Sequence, residues 1–386
     1  MTNWRAVGIV FAGGLAAGAY MTKVPPALPA IRADFGLTLV QSGFAHTMMY
    51  VIGGCLGVFG GALADRAGQK RVALAGLILM AAGGLLGAAS PGYGALLAAR
   101  FLEGLGFILY TVAAVPILVG AAAPADRATA LSLWSCYMPT GGTIALLLAP
   151  AALATFGWRS LWVVLAVYAA LCAALLAWRV PAPAFGGGVG SLRLLRESLP
   201  RPGILALCLG FICYTGQWTS LMTWLPTFAV EERGMTPSGA ALLTACFVAI
   251  NIPGNILGGV LLRAGLGRWV IMSLASLAMG LASLVAFSAA PDAARLAAIL
   301  AFSLLGGVIP GVIFSGTSVH ARSPEHIGTT NGMVMQASHL AQFGVPILVA
   351  WVASGFGGWS ASLGAMLALA ALGVAAAIAV GRAERR

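Results

Sequence analysis

Apolar runs of membrane-spanning length follow one another along nearly the whole chain, broken at short intervals by Pro, Gly and charge. Charge-free stretches run from Ala128 to Trp158, from Ser160 to Trp178 and from Ile327 to Gly381. The last is long enough for two passes at roughly twenty residues per helical span. Reading the runs against their breaks predicts twelve helices, near residues 5–24, 38–64, 72–90, 93–121, 128–154, 160–178, 203–229, 238–262, 268–288, 293–319, 327–353 and 359–380.

One break differs from the rest. Between Val180 and Pro202 the chain carries Pro181, Pro183, Gly186-Gly187-Gly188 and a basic segment from Arg193 to Arg201, with six predicted spans on either side. This predicts an N-terminal bundle over 1–180, a linker over 181–199 and a C-terminal bundle over 200–386. The halves also echo each other. Leu28-Pro29 returns as Leu225-Pro226, Gly36-Leu-Thr38 as Gly234-Met-Thr236, and Gly157-Trp158 as Gly358-Trp359, at offsets of 197 to 201 residues. The expected architecture is an all-α membrane protein, twelve transmembrane helices in two pseudo-symmetric six-helix bundles.

Composition removes the soluble classes. About 60% of the residues are hydrophobic and 8% charged, against about a quarter charged in an ordinary soluble domain. The net charge of +11 does not indicate a nucleic-acid partner, because the bases are scattered among short gaps rather than gathered in a patch. Alternating the loops between the two sides, with the N-terminus inside, places fifteen of the 21 Lys and Arg on one side and five on the other, with Arg100 inside a span. That bias predicts cytoplasmic termini. The N-terminal run after Trp4-Arg5 looks superficially like a signal peptide, but further spans follow, which favours an uncleaved first helix. The excess of Arg over Lys, with abundant Ala and Gly, suggests a bacterial cytoplasmic membrane. The six cysteines lie in apolar runs without metal-ligand spacing and are expected to be small buried hydrophobes. HExxH, GxSxG and Walker motifs are absent from the sequence. We therefore expect a protein that is not an enzyme, needs no cofactor or metal, and draws its energy from gradients.

Gly61-Ala-Leu-Ala-Asp65-Arg66-Ala-Gly68-Gln-Lys70-Arg71 sits between two long apolar runs, with a worn copy at Gly259 to Gly265. It resembles the signature between helices 2 and 3 of the major facilitator superfamily. Leu96-xxx-Arg100-xx-Glu103-Gly104-x-Gly106 is similar to that family's helix-4 motif, and Asp126-Arg127 and Gly157-Trp158-Arg159 match its usual positions. Thr223-Trp-Leu-Pro226 and Met335-Gln336-Ala-Ser338 loosely resemble the cyanate and nitroimidazole branch. The resemblance implies two repeated halves with helices 1, 4, 7 and 10 lining a central cavity. It also implies a conformational latch of Gly61, Asp65, Arg66, Gly68, Arg71, Asp126 and Arg127. In that latch Asp65 sits near the N-terminus of helix 11, Arg71 or Lys70 pairs with an acid such as Asp126, and the outward-open state is stabilised. A plain topogenic basic loop is the other reading.

Arg100 and Glu103 are three residues apart, so they share one helix face and can pair inside a span. A structural brace, or an Arg that snorkels to the interface, remains open. If the pair is functional, Glu103 is the proton carrier: a solute anion competing for Arg100 would release the carboxylate to take a proton. Tyr20, Tyr110, Tyr137, Tyr214, Gln217, Trp218, Gln336 and His339 are candidates for the remaining substrate pocket. Interfacial anchoring or helix packing is the alternative for the aromatics. Interhelical hydrogen bonding is the alternative for Gln336 and His339, as for Asn251, Asn255 and Gln342. His46 and His339 are either proton groups or packing histidines. Gly53-xxx-Gly57-xxx-Gly61 and Gly254-xxx-Gly258 allow close helix approach, and Pro139 and Pro310-Gly311 allow kinks.

The expected function is secondary active transport of a small organic, anionic or amphipathic solute, by alternating access with proton coupling. Its partners are that solute, protons and membrane lipid, with the protein a monomer. Proton-antiport efflux is the alternative. It is disfavoured because Tyr137-Met-Pro139-Thr-Gly141-Gly142 departs from the GxxxGPxxGG pattern of drug antiporters and helix 1 has no acid. A non-transporting membrane sensor is the reading from another class.

Overall fold

The computed structural model describes residues 1–55, 68–126, 130, 133–134, 136–181, 196–199, 201–288, 290–323, 326–356 and 358–385. Among these, eleven helices are long and apolar enough to cross a membrane. Residues 56–64, the last third of the predicted helix at 38–64, lie outside the described residues, and so does most of the linker expected at 181–199. The chain forms two compact units, one of Met1–Gly190 with Ala229–Ala245, the other of Ser191–Phe228 with Cys246–Arg386.

The first unit opens with α1 (Trp4–Thr22), whose first turn is capped by Asn3 accepting from the Ala6 amide. α1 ends where Pro25 and Pro26 withdraw two amide donors, and α2 (Val24–Phe35) restarts with proline in its first turn. α3 (Leu39–Thr47) begins on a reciprocal Thr38–Gln41 capping box. Then come α4 (Gln69–Ala88), α5 (Tyr93–Ala121), α6 (Tyr137–Phe156) and α7 (Trp158–Arg179). α5 packs along α4, α4 also packs on α7, and α1 packs on α6.

α8 (Pro202–Glu231) and α9 (Pro237–Ala249) follow. The second unit continues with α10 (Asn251–Arg263), α11 (Arg268–Ala286), α12 (Asp292–Gly306), α13 (Val308–His320), α14 (Ile327–Gly355) and α15 (Ser362–Glu384). α11 packs on α15 and α12, and α10 on α13. Near Pro310 the span is interrupted for one residue at Gly307, which keeps right-handed backbone angles of −57° and −19°; Pro310 has no amide to bond the Gly306 carbonyl one turn back.

The internal repeat extends to backbone conformation. Gly36 and Gly234 have φ of +62° and +60°, Gly68 and Gly265 +91° and +87°, and Gly157 and Gly358 +73° and +90°. These left-handed positions favour residues without a Cβ. Two residues after the first pair, Thr38 Oγ1 accepts from the Gln41 amide and Thr236 Oγ1 from the Gly239 amide, so the same helix start is built twice.

Cysteine burial differs from the expectation. Cys172 and Cys213 are buried, Cys136 and Cys208 half-buried, but Cys55 and Cys246 are exposed; all six are free thiols. Leu148, Trp178 and Leu274 are exposed as well, which a bilayer rather than water accommodates.

Candidate functional site: a buried charge triad

The break between α1 and α2 directs Lys23 at the middle of α5. Its Nζ lies 2.7 Å from Glu103 Oε1, while the other carboxylate oxygen of Glu103 takes the Arg100 guanidinium from one turn earlier. Arg100 also donates through Nη1 to the Tyr20 carbonyl at 3.3 Å and through Nη2 to the His46 carbonyl at 3.3 Å. Lys23 Nζ sits 4.0 Å from the Tyr20 ring centre and 4.3 Å from that of Trp162, an aromatic wall suited to an ammonium. The Tyr20 hydroxyl itself donates to the Met80 carbonyl at 2.8 Å.

All three charged side chains are fully enclosed. Small residues permit that closure. A Cβ on Gly104 would meet the Met49 carbonyl oxygen at 2.1 Å, and one on Gly83 would meet Glu103 Cγ at 2.8 Å. With every group ionised the triad carries two positive charges and one negative. A buried pair that balances is tolerable, but an extra uncompensated charge in a poorly polarisable interior is expensive. Such a cluster is driven either to lose a proton or to gain an anion. Close by, the His46 ring is buried with no hydrogen bond to either nitrogen and packs edge-on to Tyr50.

Lys23 is the member of this cluster that sequence reasoning misses. Alternating the loops counts it among the five cations on the outer side, whereas it is 1% exposed. The available signal was a lysine two residues before Pro25-Pro26, in a chain whose only other lysine is Lys70.

The other predicted pocket residues fall into separate groups. In the first unit the Tyr110 hydroxyl donates to the Val10 carbonyl, and Tyr137 stacks on Trp134 with ring centres 4.3 Å apart. In the second unit Trp218 Nε1 donates to Ser303 Oγ at 3.0 Å, which donates on to the Phe247 carbonyl at 2.6 Å. Asn251 Nδ2 donates to the Ser303 carbonyl at 2.8 Å and to the Tyr214 hydroxyl at 3.2 Å. Gln217 Nε2 bonds its own helix at the Cys213 carbonyl, 3.0 Å away. Gln336 is half-buried and His339 buried, both on α14. Tyr20, Tyr110 and Trp218 thus spend their polar atoms on the helices around them.

Of the latch residues, Gly61, Asp65, Arg66 and Arg127 lie outside the described residues. Gly68 takes its left-handed turn just before α4, and Arg71 is exposed on the first turn of that helix. Lys70 Nζ donates to the Ala177 carbonyl at 2.8 Å, and Asp126 accepts from the Thr2 hydroxyl. Among the described residues no group of His, Cys, Asp and Glu is placed to hold a metal ion.

Comparison with known proteins agrees with this architecture. The family model of the Major Facilitator Superfamily matches residues 9–346. The 3-(3-hydroxy-phenyl)propionate transporter of Escherichia coli (strain K12) is 31% identical over 290 residues, covering 72% of this chain and 70% of that protein. A probable sulfoacetate transporter, SauU, of Cupriavidus necator is 26% identical over 264 residues, covering 63% of this chain and 61% of its own length. Among solved structures, a bacterial homolog of the human lysosomal transporter Spinster, inward-facing and unoccupied, shares the fold. Its TM-score is 0.79 at 18% identity, over 100% of this chain and 96% of that one. The chain belongs to the major facilitator superfamily, a membrane transporter of small solutes rather than an enzyme.

Proposed function

We propose that this protein is a proton-coupled transporter of a small organic anion, working by alternating access, with the Lys23–Glu103–Arg100 triad as its coupling element. The observation that carries the reading is the triad's one excess positive charge in a sealed interior. Empty, the cluster is most stable one proton short, and therefore neutral. A proton alone leaves it at +1 and an anion alone leaves the site at −1, each unfavourable where dielectric screening is weak. A proton and a monoanion together restore neutrality, so each raises the affinity for the other.

The anion need not touch the triad. At about 6 Å and an effective dielectric of about 20, two unit charges attract by about 3 kcal/mol, roughly a hundredfold in affinity. Glu103 and Lys23 share the transported proton, and Arg100 holds the carboxylate in place in either state. Relatives that carry hydroxyphenylpropionate and sulfoacetate, both organic acids, support an anionic cargo. The basic bias of alternate loops supports cytoplasmic termini in a bacterial inner membrane. The latch from Gly61 to Arg71, with Asp126 and Arg127, is retained as the device that favours one access state, and the working unit is a monomer.

Reconstitution in proteoliposomes tests this. Aryl carboxylates, with 3-(3-hydroxyphenyl)propionate among them, should accumulate when the outside is acid. A monocarboxylate should accumulate equally with and without a potassium diffusion potential, because the loaded carrier is neutral. Binding affinity should rise about tenfold or more between pH 8 and pH 6, and Lys23→Met should flatten that dependence. Accumulation that follows membrane potential and ignores the pH gradient would refute the scheme.

A further inference from the structure

A basic cavity lies at one end of the second unit. About 470 Å³ in volume, it is lined by Arg201, Pro202, Gly203, His320, Ala379, Arg382 and Ala383. Three helix ends meet there: the start of α8 and the last residues of α13 and α15. All three helices belong to membrane-spanning segments, so the cavity lies where a span leaves the bilayer.

Its charge is unbalanced. Glu384 is engaged by the Arg268 guanidinium, and among the described residues neither Arg201 nor Arg382 has an acidic partner. The His320 ring is 9% exposed and packed against Gly203, where a Cβ would come within 2.1 Å of Nδ1. Its Nε2 is buried without a hydrogen bond, 3.5 Å from Glu384 Oε1, beyond good hydrogen-bond geometry for an imidazole. The start of α8 adds the positive end of a helix dipole and the Gly203 amide, since Pro202 has no N–H and the Ile204 and Leu205 amides donate to the Arg201 carbonyl. Two guanidiniums that lack an acidic partner among the described residues, a buried imidazole with Glu384 3.5 Å away and a helix start around one cavity form a receptor for an oxyanion, with guanidiniums suited to paired phosphate oxygens.

Apolar surface adjoins it. Leu205 in the first turn of α8, Val319 next to the last residue of α13 and Ile378 less than two turns before the end of α15 are 48%, 57% and 41% exposed. A free phosphate has no use for such surface, whereas a phospholipid lays its acyl chains along it. We propose that this cavity binds the headgroup phosphate of an anionic phospholipid, with the acyl chains lying over Leu205, Val319 and Ile378. Basic cavities among helix ends are a recurring means of holding acidic headgroups.

Native mass spectrometry of the detergent-solubilised protein, titrated with phosphatidylglycerol and with phosphatidylcholine, tests the proposal without any transport measurement. The wild type should bind phosphatidylglycerol at least tenfold more tightly. R201Q/R382Q should lose that preference and R201K/R382K should keep most of it. Ala383→Phe, which fills the cavity and leaves every charge in place, should lose it as well, which separates a site from a general charge effect and guards against misfolding of the double variant. Equal binding of the two lipids by the wild type, or an undiminished preference in both R201Q/R382Q and A383F, overturns the proposal. Inorganic phosphate that raises the melting temperature of the wild type but not of R201Q/R382Q, with no lipid preference, overturns the lipid and assigns a soluble phosphate instead.

Discussion

Lys23 Nζ and Glu103 Oε1 lie 2.7 Å apart across a separation of 80 residues, and neither side chain is reached by solvent. This contact joins the α1–α2 break to the centre of α5 and gives the triad its extra charge.

Removing different members of the triad should have opposite consequences. Glu103→Gln leaves two buried cations facing one another without a counter-charge, and should destabilise the protein by about 3–5 kcal/mol. Lys23→Met leaves the neutral Arg100–Glu103 pair and replaces an ammonium by an apolar chain of similar length, so it should be neutral or stabilising. The double variant leaves Arg100 as one uncompensated cation instead of two facing each other, and should recover part of the loss. Denaturant unfolding in detergent checks the order; a Lys23→Met protein less stable than Glu103→Gln contradicts the charge account.

Close helix approach at Gly104 should tolerate no side chain. A Cβ there meets the Met49 backbone oxygen at 2.1 Å, and backbone cannot swing aside as a side-chain tip can. Gly104→Ala should therefore cost about 1–3 kcal/mol. Gly8, inside α1 with nothing within 4 Å of its would-be Cβ, is the control: Gly8→Ala should be neutral, or stabilising by up to about 1 kcal/mol. Melting temperatures of the two variants, side by side, decide it.

In the second unit, Ser303 relays a hydrogen bond from the Trp218 indole to the Phe247 carbonyl. Ser303→Ala leaves the indole donor buried without a partner and should destabilise by about 1–2 kcal/mol. Trp218→Phe combined with it removes the orphaned donor, so the double variant should lose less than the sum of the singles. Full additivity would mean that the relay is not a unit.

At the end of α2, Arg159 Nη1 and Trp158 Nε1 both donate to Asp34 Oδ2, at 2.6 and 3.1 Å. The Arg159 hydrogen bond, and then that of Trp158, hold the Asp34 carboxyl below its ordinary value of 3.8. A depressed folded-state value stabilises above the unfolded one and is lost as pH falls through the folded one. Wild type should thus melt slightly higher than Asp34→Asn at neutral pH, and the gap should close as the pH drops below about 4. The group is exposed, so the gap should be small. A gap that persists at pH 3 points to a packing origin.

Much of the fold was legible in the sequence, because a bilayer imposes length and apolarity on each span independently of its neighbours. The spans and the paired glycines could be read from local pattern. Gly36 with Gly234 and Gly157 with Gly358 recur because each half needs the same left-handed turn. Arg100 and Glu103 could be paired because three residues on one helix fix their geometry.

Other features depend on contacts between helices, which no periodicity records. Lys23 reads as a loop cation until the proline break encloses it between Glu103 of α5 and Trp162 of α7. Tyr20, Tyr110 and Trp218 read as pocket groups until Met80, Val10 and Ser303 take up their polar atoms. The sequence by itself determined the membrane-spanning architecture and one charged pair. Tertiary structure alone decided the third charge and the basic cavity at Arg201 and Arg382, because the energy of a buried charge depends on every group that surrounds it, however distant in the chain.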